Sequence, residues 1–246
     1  MNNLEKPDYI SDIDYDLLKK IYPNNMPEVI NKLKANYPVQ YLIGYVDFYG
    51  YRINVDSRAL IPRFETEGLV DETIKLIKEY IPNPQILDIG TGSGCIAITL
   101  SKELNTTVDA LDISSSAIEL ATENAQLNEA NVHYYLKDIK NCTFDKTYNV
   151  IISNPPYVKI NSEVDLQTKY EPQNALYAKE DGLEFYNIIL KQSLNILTKN
   201  NIIAFEIGFD EAEAIKSLCK KYYPNSIVVV KKDLANLDRY IFIVNE

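Results

Sequence analysis

The sequence predicts an α/β chain built on a Rossmann-like doubly wound sheet with an antiparallel final strand, preceded by a short helical segment and a β-hairpin. From residue 85 onward, short apolar runs rich in β-branched residues alternate with helical patterns. That order produces a parallel sheet joined by right-handed crossovers and covered on both faces. A glycine-rich stretch, Asp88-Ile89-Gly90-Thr91-Gly92-Ser93-Gly94, falls at the first strand-to-helix turn, where open sheets of this kind take ligands. The last apolar run, 239–244, follows the run 227–230 with no helical pattern between them, so it returns antiparallel at or near a sheet edge.

In chain order, residues 1–37 read as two short helices, 12–22 and 27–36, with Pro27 at a helix-start position. Residues 38–44 read as a connector, and 46–55 alternate about Tyr49-Gly50 as a hairpin. A loop at 60–67 enters a helix over 65–80, with Leu69, Val70, Ile74 and Ile77 at helical spacing. Strands are expected at 85–90, 108–113, 132–137, 148–153, 202–207, 227–230 and 239–244, with helices near Cys95, Ala117, Leu183 and Ala212. The chain divides on this reading into a helical segment (1–37), a connector and hairpin (38–64), and the α/β domain (65–246).

With 246 residues, 46% of them hydrophobic, the chain supports one sizeable core. A formal net charge of −10 repels phosphate backbones, which disfavours nucleic acid as a partner. Cys95, Cys142 and Cys219 lie far apart and outside any C-x-x-C pattern, which fits a reducing compartment and argues against a disulfide or zinc framework. No metal site is expected. His133, the one histidine, sits in a strand-like run and is assigned to packing. No N-terminal stretch resembles a signal peptide and no apolar run approaches the roughly 20 residues that span a bilayer. The expected location is cytoplasmic, with no membrane partner.

The stretch that carries the chemistry is Asn154-Pro155-Pro156-Tyr157. The apolar run 148–153 reads as a buried parallel strand, and the proline pair cannot continue it. Pro155 biases Asn154 away from the α region, and neither proline has an N–H. The Asn154 side chain and the Pro155 carbonyl are thus presented rigidly beside the Tyr157 ring. Two acceptors next to an aromatic face suit a planar NH2, either a glutamine amide or a nucleobase amine. The competing reading is a plain strand-ending turn. The motif resembles that of the amino-methyltransferases, which move a methyl group from S-adenosylmethionine to an exocyclic or amide nitrogen. Asn154, Pro155, Pro156 and Tyr157 are the candidate catalytic and substrate-binding residues.

The spacing Asp88-x-Gly90-x-Gly92-x-Gly94 brings backbone close to a ligand, and N–H groups at the helix start favour an anionic group such as a carboxylate. A dinucleotide fingerprint would need glycine at 95, where the chain has Cys95, and the Walker pattern is absent. Asp112 ends the second strand about 20 residues later, placed to accept two ribose hydroxyls. Two hydroxyls and no phosphate fit S-adenosyl-L-methionine. Asp138 and Ile139 end the third strand, the carboxylate toward the adenine amine and Ile139 against its ring. Helix capping is the alternative for both acids. The candidate cofactor residues are therefore Asp88, Gly90, Thr91, Gly92, Ser93, Gly94, Asp112, Asp138, Ile139 and Asn154.

Beyond these motifs the chain resembles the glutamine methyltransferases of bacterial peptide chain release factors. The likeness lies in Pro38-Val39-Gln40-Tyr41-Leu42-Ile43-Gly44, in Arg63 to Glu67, and in Tyr170-Glu171-Pro172-Gln173-Asn174-Ala175-Leu176. It continues in Glu206-Ile207-Gly208, Lys232-Asp233-Leu234 and Asp238-Arg239. It implies a class I S-adenosylmethionine-dependent methyltransferase fold, S-adenosyl-L-homocysteine as by-product, and the glutamine of a release factor Gly-Gly-Gln motif as acceptor. It also implies a role for Arg63 and Glu65 in closing the pocket and binding substrate. Phe64 stands where that family usually has proline, Glu211 where it has glutamine, and the N-terminal helical region is unusually short. Rival readings are a glutamine methyltransferase of a ribosomal protein, an adenine or guanine amino-methyltransferase acting on nucleic acid, and a nucleotide-binding module without catalysis.

Overall fold

The computed structural model describes residues 6–245; the first five residues of the expected N-terminal segment, and residue 246, lie outside them. Helices α1 (Asp12–Ile21) and α2 (Met26–Lys34) occupy the expected positions. Ser11 caps α1 by accepting the Asp14 N–H, which satisfies one of the free donors at a helix start. The expected connector is instead a short helix, α3 (Val39–Ile43). Val39, Tyr41 and Leu42 are buried, and Gly44 ends the helix with φ +88°, the left-handed cap that glycine adopts without strain. Five residues are too few to display a helical period in sequence. Ile10, Leu18, Val29, Leu33, Val39 and Leu42 form a satellite core.

Strands β1 (Tyr45–Phe48) and β2 (Tyr51–Asn54) pair antiparallel across Tyr49-Gly50, both with positive φ, the two-residue turn whose twist matches a hairpin. Then follow α4 (Phe64–Tyr80), β3 (Ile86–Ile89), α5 (Cys95–Leu104), β4 (Val108–Asp112), α6 (Ser115–Leu127), β5 (Val132–Leu136) and β6 (Tyr148–Ser153). After β6 come the two-residue strands β7 (Val158–Lys159) and β8 (Tyr177–Ala178), paired parallel to each other. The chain closes with α7 (Glu184–Ile196), β9 (Leu197–Glu206), α8 (Ala212–Tyr222), β10 (Ile227–Lys232) and β11 (Asp238–Asn245).

Seven strands form one sheet in the order β10-β11-β9-β6-β3-β4-β5. β11 is antiparallel to both neighbours, one place in from the edge. Strand alternation divides the core into two layers. Ile86, Val150, Ile152, Ile202, Ala204 and Phe242 pack with Leu69, Val70, Ile74 and Ile77 of α4 and with Ile96 to Ile98 of α5. Leu87, Ile89, Ile151, Ile203, Phe205 and Ile241 pack with Tyr186, Ile189 and Leu190 of α7 and Ile215 of α8. β9 begins at Leu197, five residues before the apolar run, because Thr198, Lys199, Asn200 and Asn201 extend it without an apolar pattern. No helix among the described residues is long and apolar enough to cross a membrane.

Candidate active site

The carboxyl ends of β3, β4, β5 and β6 open onto a cleft of about 310 Å³, and the strand order reverses between β3 and its neighbours there. Such a switch point leaves a crevice because successive crossovers depart on opposite sides. Gly90 and Gly92 form part of its wall, with Asp112, Asp138, Ile139, Asn154, Pro155 and Pro156. Of the other sequence candidates, Asp88, Thr91, Ser93, Gly94, Arg63, Glu65 and Tyr157 are not in the wall.

The glycine loop is pinned by the strand beside it. Gly90 N–H and Thr91 N–H both donate to the Leu111 carbonyl, and Gly92 N–H donates to Asp112 Oδ2 at 2.9 Å. Asp112 Oδ1 accepts from Ser114 N–H, also at 2.9 Å. Burial raises the Asp112 carboxyl above its usual range, while these N–H donors oppose the rise. Asp112 also forms part of the cleft wall, and a carboxylate has about four acceptor sites, more than its Gly92 and Ser114 partners fill. At Gly90 (φ +75°) an added Cβ would meet nothing within 4 Å, whereas at Gly94 (φ +84°) it would lie 2.8 Å from the Tyr134 hydroxyl and 3.1 Å from Ala121. The first glycine serves the turn that faces the cleft; the second serves the packing of α5 against α6 and β5.

Asp88 lies beneath the loop, fully buried. Its Oδ2 accepts from the Thr91 hydroxyl at 2.7 Å, and its Oδ1 has no partner among the described residues. Burial pushes its carboxyl up to about 7, Thr91 opposing. Asp138 Oδ1 takes the Lys140 N–H at 2.9 Å, and Ile139 is buried beside it.

Beside Asn154 the structure brings together side chains distant in sequence. Asn154 Nδ2 donates to Thr66 Oγ1 at 3.1 Å; the Thr66 hydroxyl donates to Glu206 Oε2 at 2.6 Å; the Tyr157 hydroxyl donates to Glu206 Oε1 at 3.3 Å. Glu206 is 2% exposed. Burial raises its carboxyl, with Thr66, Arg239 and Tyr157 acting in the opposite direction. No N–H of the described residues takes the Pro155 carbonyl. Arg63 pairs with the buried Glu171 at 2.6 Å, and the other Glu171 oxygen accepts the Ile61 N–H at 2.9 Å. This ties the loop before α4 to the segment whose Pro172, Asn174 and Ala175 form the outer wall of the cleft. Glu65 is exposed, and its carbonyl accepts from the Tyr240 hydroxyl.

Sequence reasoning assigned no site role to Thr66, Glu206, Glu171 or Asn124. Asn124 is fully buried and joins the hairpin to the loop, exchanging hydrogen bonds with Asn54 and donating to the Ser93 carbonyl. A signal for Glu206 existed: Ile202, Ala204 and Glu206 alternate on one face of β9, so the acid falls on the buried side against α4. His133 departs from its expected packing role. Its side chain is 61% exposed, with Nδ1 3.5 Å from the buried Asp109, because β5 is an edge strand.

The Methyltransferase small domain family matches residues 64–172. The release factor glutamine methyltransferase of Lactococcus lactis subsp. lactis (strain IL1403) is 38% identical over 220 residues, covering 88% of this chain and 80% of that protein. The chain belongs to the release factor glutamine methyltransferase family. The corresponding protein of Streptococcus pneumoniae (strain ATCC BAA-255 / R6) is 37% identical, covering 99% of this chain and 88% of the relative. Solved methyltransferases share the fold. The hMettl16 catalytic domain in complex with MAT2A 3'UTR hairpin 6 aligns at TM-score 0.63 and 19% identity, over 80% of this chain and 76% of that one. A methyltransferase from Pyrococcus furiosus aligns at TM-score 0.58 and 18% identity, over 91% and 98%. The family fold is thus the class I methyltransferase architecture expected from the glycine loop and the antiparallel final strand.

Proposed function

We propose that this family member transfers the methyl group of S-adenosyl-L-methionine to the side-chain amide nitrogen of the glutamine in the Gly-Gly-Gln motif of peptide chain release factors, the nitrogen losing one of its protons and S-adenosyl-L-homocysteine being the by-product. The observation that carries the reading is the Asn154 carboxamide, anchored through Nδ2 to Thr66 and therefore left with Oδ1 for an N–H donor beside the open Pro155 carbonyl. The names of the relatives point to the same acceptor.

The cofactor fits the residues present. Asp112 would take the ribose hydroxyls, Asp138 and Ile139 the adenine, and the backbone of Gly90 to Gly92 the amino-acid end, with Ile113 and Phe185 lining the apolar wall. When bound, it supplies a methyl group made electrophilic by its sulfonium. The protein's own part is position and electrostatics. An amide nitrogen is a weak nucleophile because its lone pair is delocalised. Asn154 Oδ1 and the Pro155 carbonyl hold both of its hydrogens and so aim what remains of that pair. Those two hydrogen bonds strengthen as the nitrogen gains positive charge, which is binding that favours the transition state over the ground state. Pro156 forms cleft wall, and Tyr157 packs behind the pair, its hydroxyl on Glu206. Arg63 closes the outer wall through Glu171, and Glu65 stands exposed at the entrance to α4 for the incoming protein.

The charges about the cleft favour a protein acceptor over nucleic acid. Arg58 is held by Asp56 and Glu123, Lys140 by Glu184, Arg63 by Glu171 and Lys159 by Asp210, which leaves these cations neutralised rather than offered to phosphates. The chain on this reading works in the cytoplasm, with residues 1–37 and 38–64 as an appendage to the catalytic unit 65–246. Incubation with methyl-labelled cofactor and, in separate reactions, purified release factors, ribosomal proteins, DNA and RNA tests the proposal. Label on the release factor is expected; label on ribosomal protein or nucleic acid alone would refute it.

A further inference from the structure

The network beneath Asn154 has a direction. An ionised carboxylate only accepts hydrogen bonds, and both Glu206 oxygens accept from hydroxyls, Thr66 at 2.6 Å and Tyr157 at 3.3 Å. Thr66 has one hydroxyl proton and commits it to Glu206. Its oxygen is then available to Asn154 only as an acceptor, so the neighbouring end of that carboxamide must be Nδ2, as found at 3.1 Å. The opposite end, Oδ1, is left for the cleft. Were Thr66 free to donate toward Asn154, the carboxamide would present Oδ1 inward and an NH2 to the acceptor, which an acceptor NH2 cannot use.

We propose that Glu206 and Thr66 are positioning residues that fix which end of the Asn154 carboxamide faces the acceptor amide. This rests on the acceptor reading given above. The relay is held from several elements: Thr66 sits on the first turn of α4, Glu206 ends β9 and Asn154 directly follows β6. Besides Thr66 and Tyr157, which bond it, the Glu206 carboxyl interacts electrostatically with Glu65 of α4, Arg239 and Tyr240 of β11, Tyr186 of α7 and Cys95 of α5. Arg239 is the cation among them and favours the ionised form; Glu65 and burial oppose it. Protonating Glu206 gives it a hydrogen to donate to Thr66, which releases the Thr66 hydroxyl toward Asn154 and reverses the chain.

Two readouts test this, transfer rate against pH and affinity for S-adenosylhomocysteine by calorimetry, on the wild type and on Thr66→Val, Thr66→Ser, Glu206→Gln and Asn154→Ala. Thr66→Val keeps the shape and loses the hydroxyl; it is expected to lower the transfer rate about 100-fold, the cost of a misaimed group, with affinity for the by-product unchanged. Thr66→Ser, which retains the hydroxyl, is expected to restore most of the rate. The wild type is expected to lose rate as pH falls, with an acid limb above the ordinary carboxylate range that is absent from both Glu206→Gln and Thr66→Val. A wild-type rate and an unchanged acid limb in Thr66→Val would overturn the relay. Should Thr66→Val melt early, the limb in Glu206→Gln and the rate of Thr66→Ser decide alone, and an unaltered limb in Glu206→Gln refutes the relay. Full activity in Asn154→Ala would instead overturn the acceptor reading; an inactive Asn154→Ala beside a fully active Thr66→Val removes the relay only.

Discussion

The two halves of the cleft are made from different kinds of contact. On the glycine-loop side the parts are near in sequence: Asp112 reaches back 20 positions to the Gly92 N–H and forward two to the Ser114 N–H. On the Asn154 side, Thr66 lies 88 positions from Asn154 and 140 from Glu206. The first half is a turn of backbone held by a neighbouring strand. The second is a junction of side chains that exists only once α4, β6 and β9 have docked. On the proposed reading the groups that hold the cofactor all lie in the first half, so a side-chain change in the second should lower transfer and largely spare binding.

The sharpest break is Asn154→Ala. It is expected to lower methyl transfer about 1000-fold, the scale of losing a preorganised transition-state hydrogen bond, while calorimetry finds most of the by-product affinity retained. A parallel loss of affinity would show that the halves are not independent. The complementary break is Asp112→Ala, which removes the proposed acceptor of the ribose hydroxyls and frees the Gly92 N–H together. Hydrogen bonds to charged groups contribute about 1.5–3 kcal/mol each, so losing two should lower affinity by about 100-fold or more, and transfer should recover at saturating cofactor.

Two smaller effects sharpen the contrast within the glycine-loop half. Gly94→Ala meets the Tyr134 hydroxyl and a left-handed φ, and overpacking of this kind costs about 1–3 kcal/mol; thermal denaturation should show it as a lower Tm. At Gly90, where a Cβ meets nothing, only the backbone strain remains. Asp88 supplies the pH test. Its carboxyl rises from 3.8 to about 7 in the folded protein, so its burial penalty is absent at low pH and is incurred as pH rises toward 7. Asp88→Asn should therefore be more stable than the wild type above pH 7, the advantage vanishing near the ordinary carboxylate value. A stability difference independent of pH would contradict the assignment.

The same contrast explains what could be read from the sequence. Asp112, Asp138 and the glycines fall at strand ends, and the order of strands brings strand ends to one edge, so local spacing was enough to find them. Asn154 was legible because two prolines stop a strand visibly. Thr66 and Glu206 were not assigned to the site, because nothing local says that the first turn of α4 and the end of β9 meet; the register of β9 against β6 decides it. Glu171 escaped for the same reason, its partner Arg63 being 108 positions away. α3 escaped because five residues carry no period. Asp88, Thr91, Ser93 and Gly94 belong to the legible motif yet support the loop from below rather than face the cleft.

Locating the transferred methyl tests whether Asn154 and Pro155 select a glutamine amide nitrogen. Peptide mass spectrometry of a release factor incubated with this protein and S-adenosylmethionine should find one added methyl, on the side-chain nitrogen of the Gly-Gly-Gln glutamine, and none with Asn154→Ala. A methyl on another residue, or an unmodified glutamine in an accessible release factor, would contradict it.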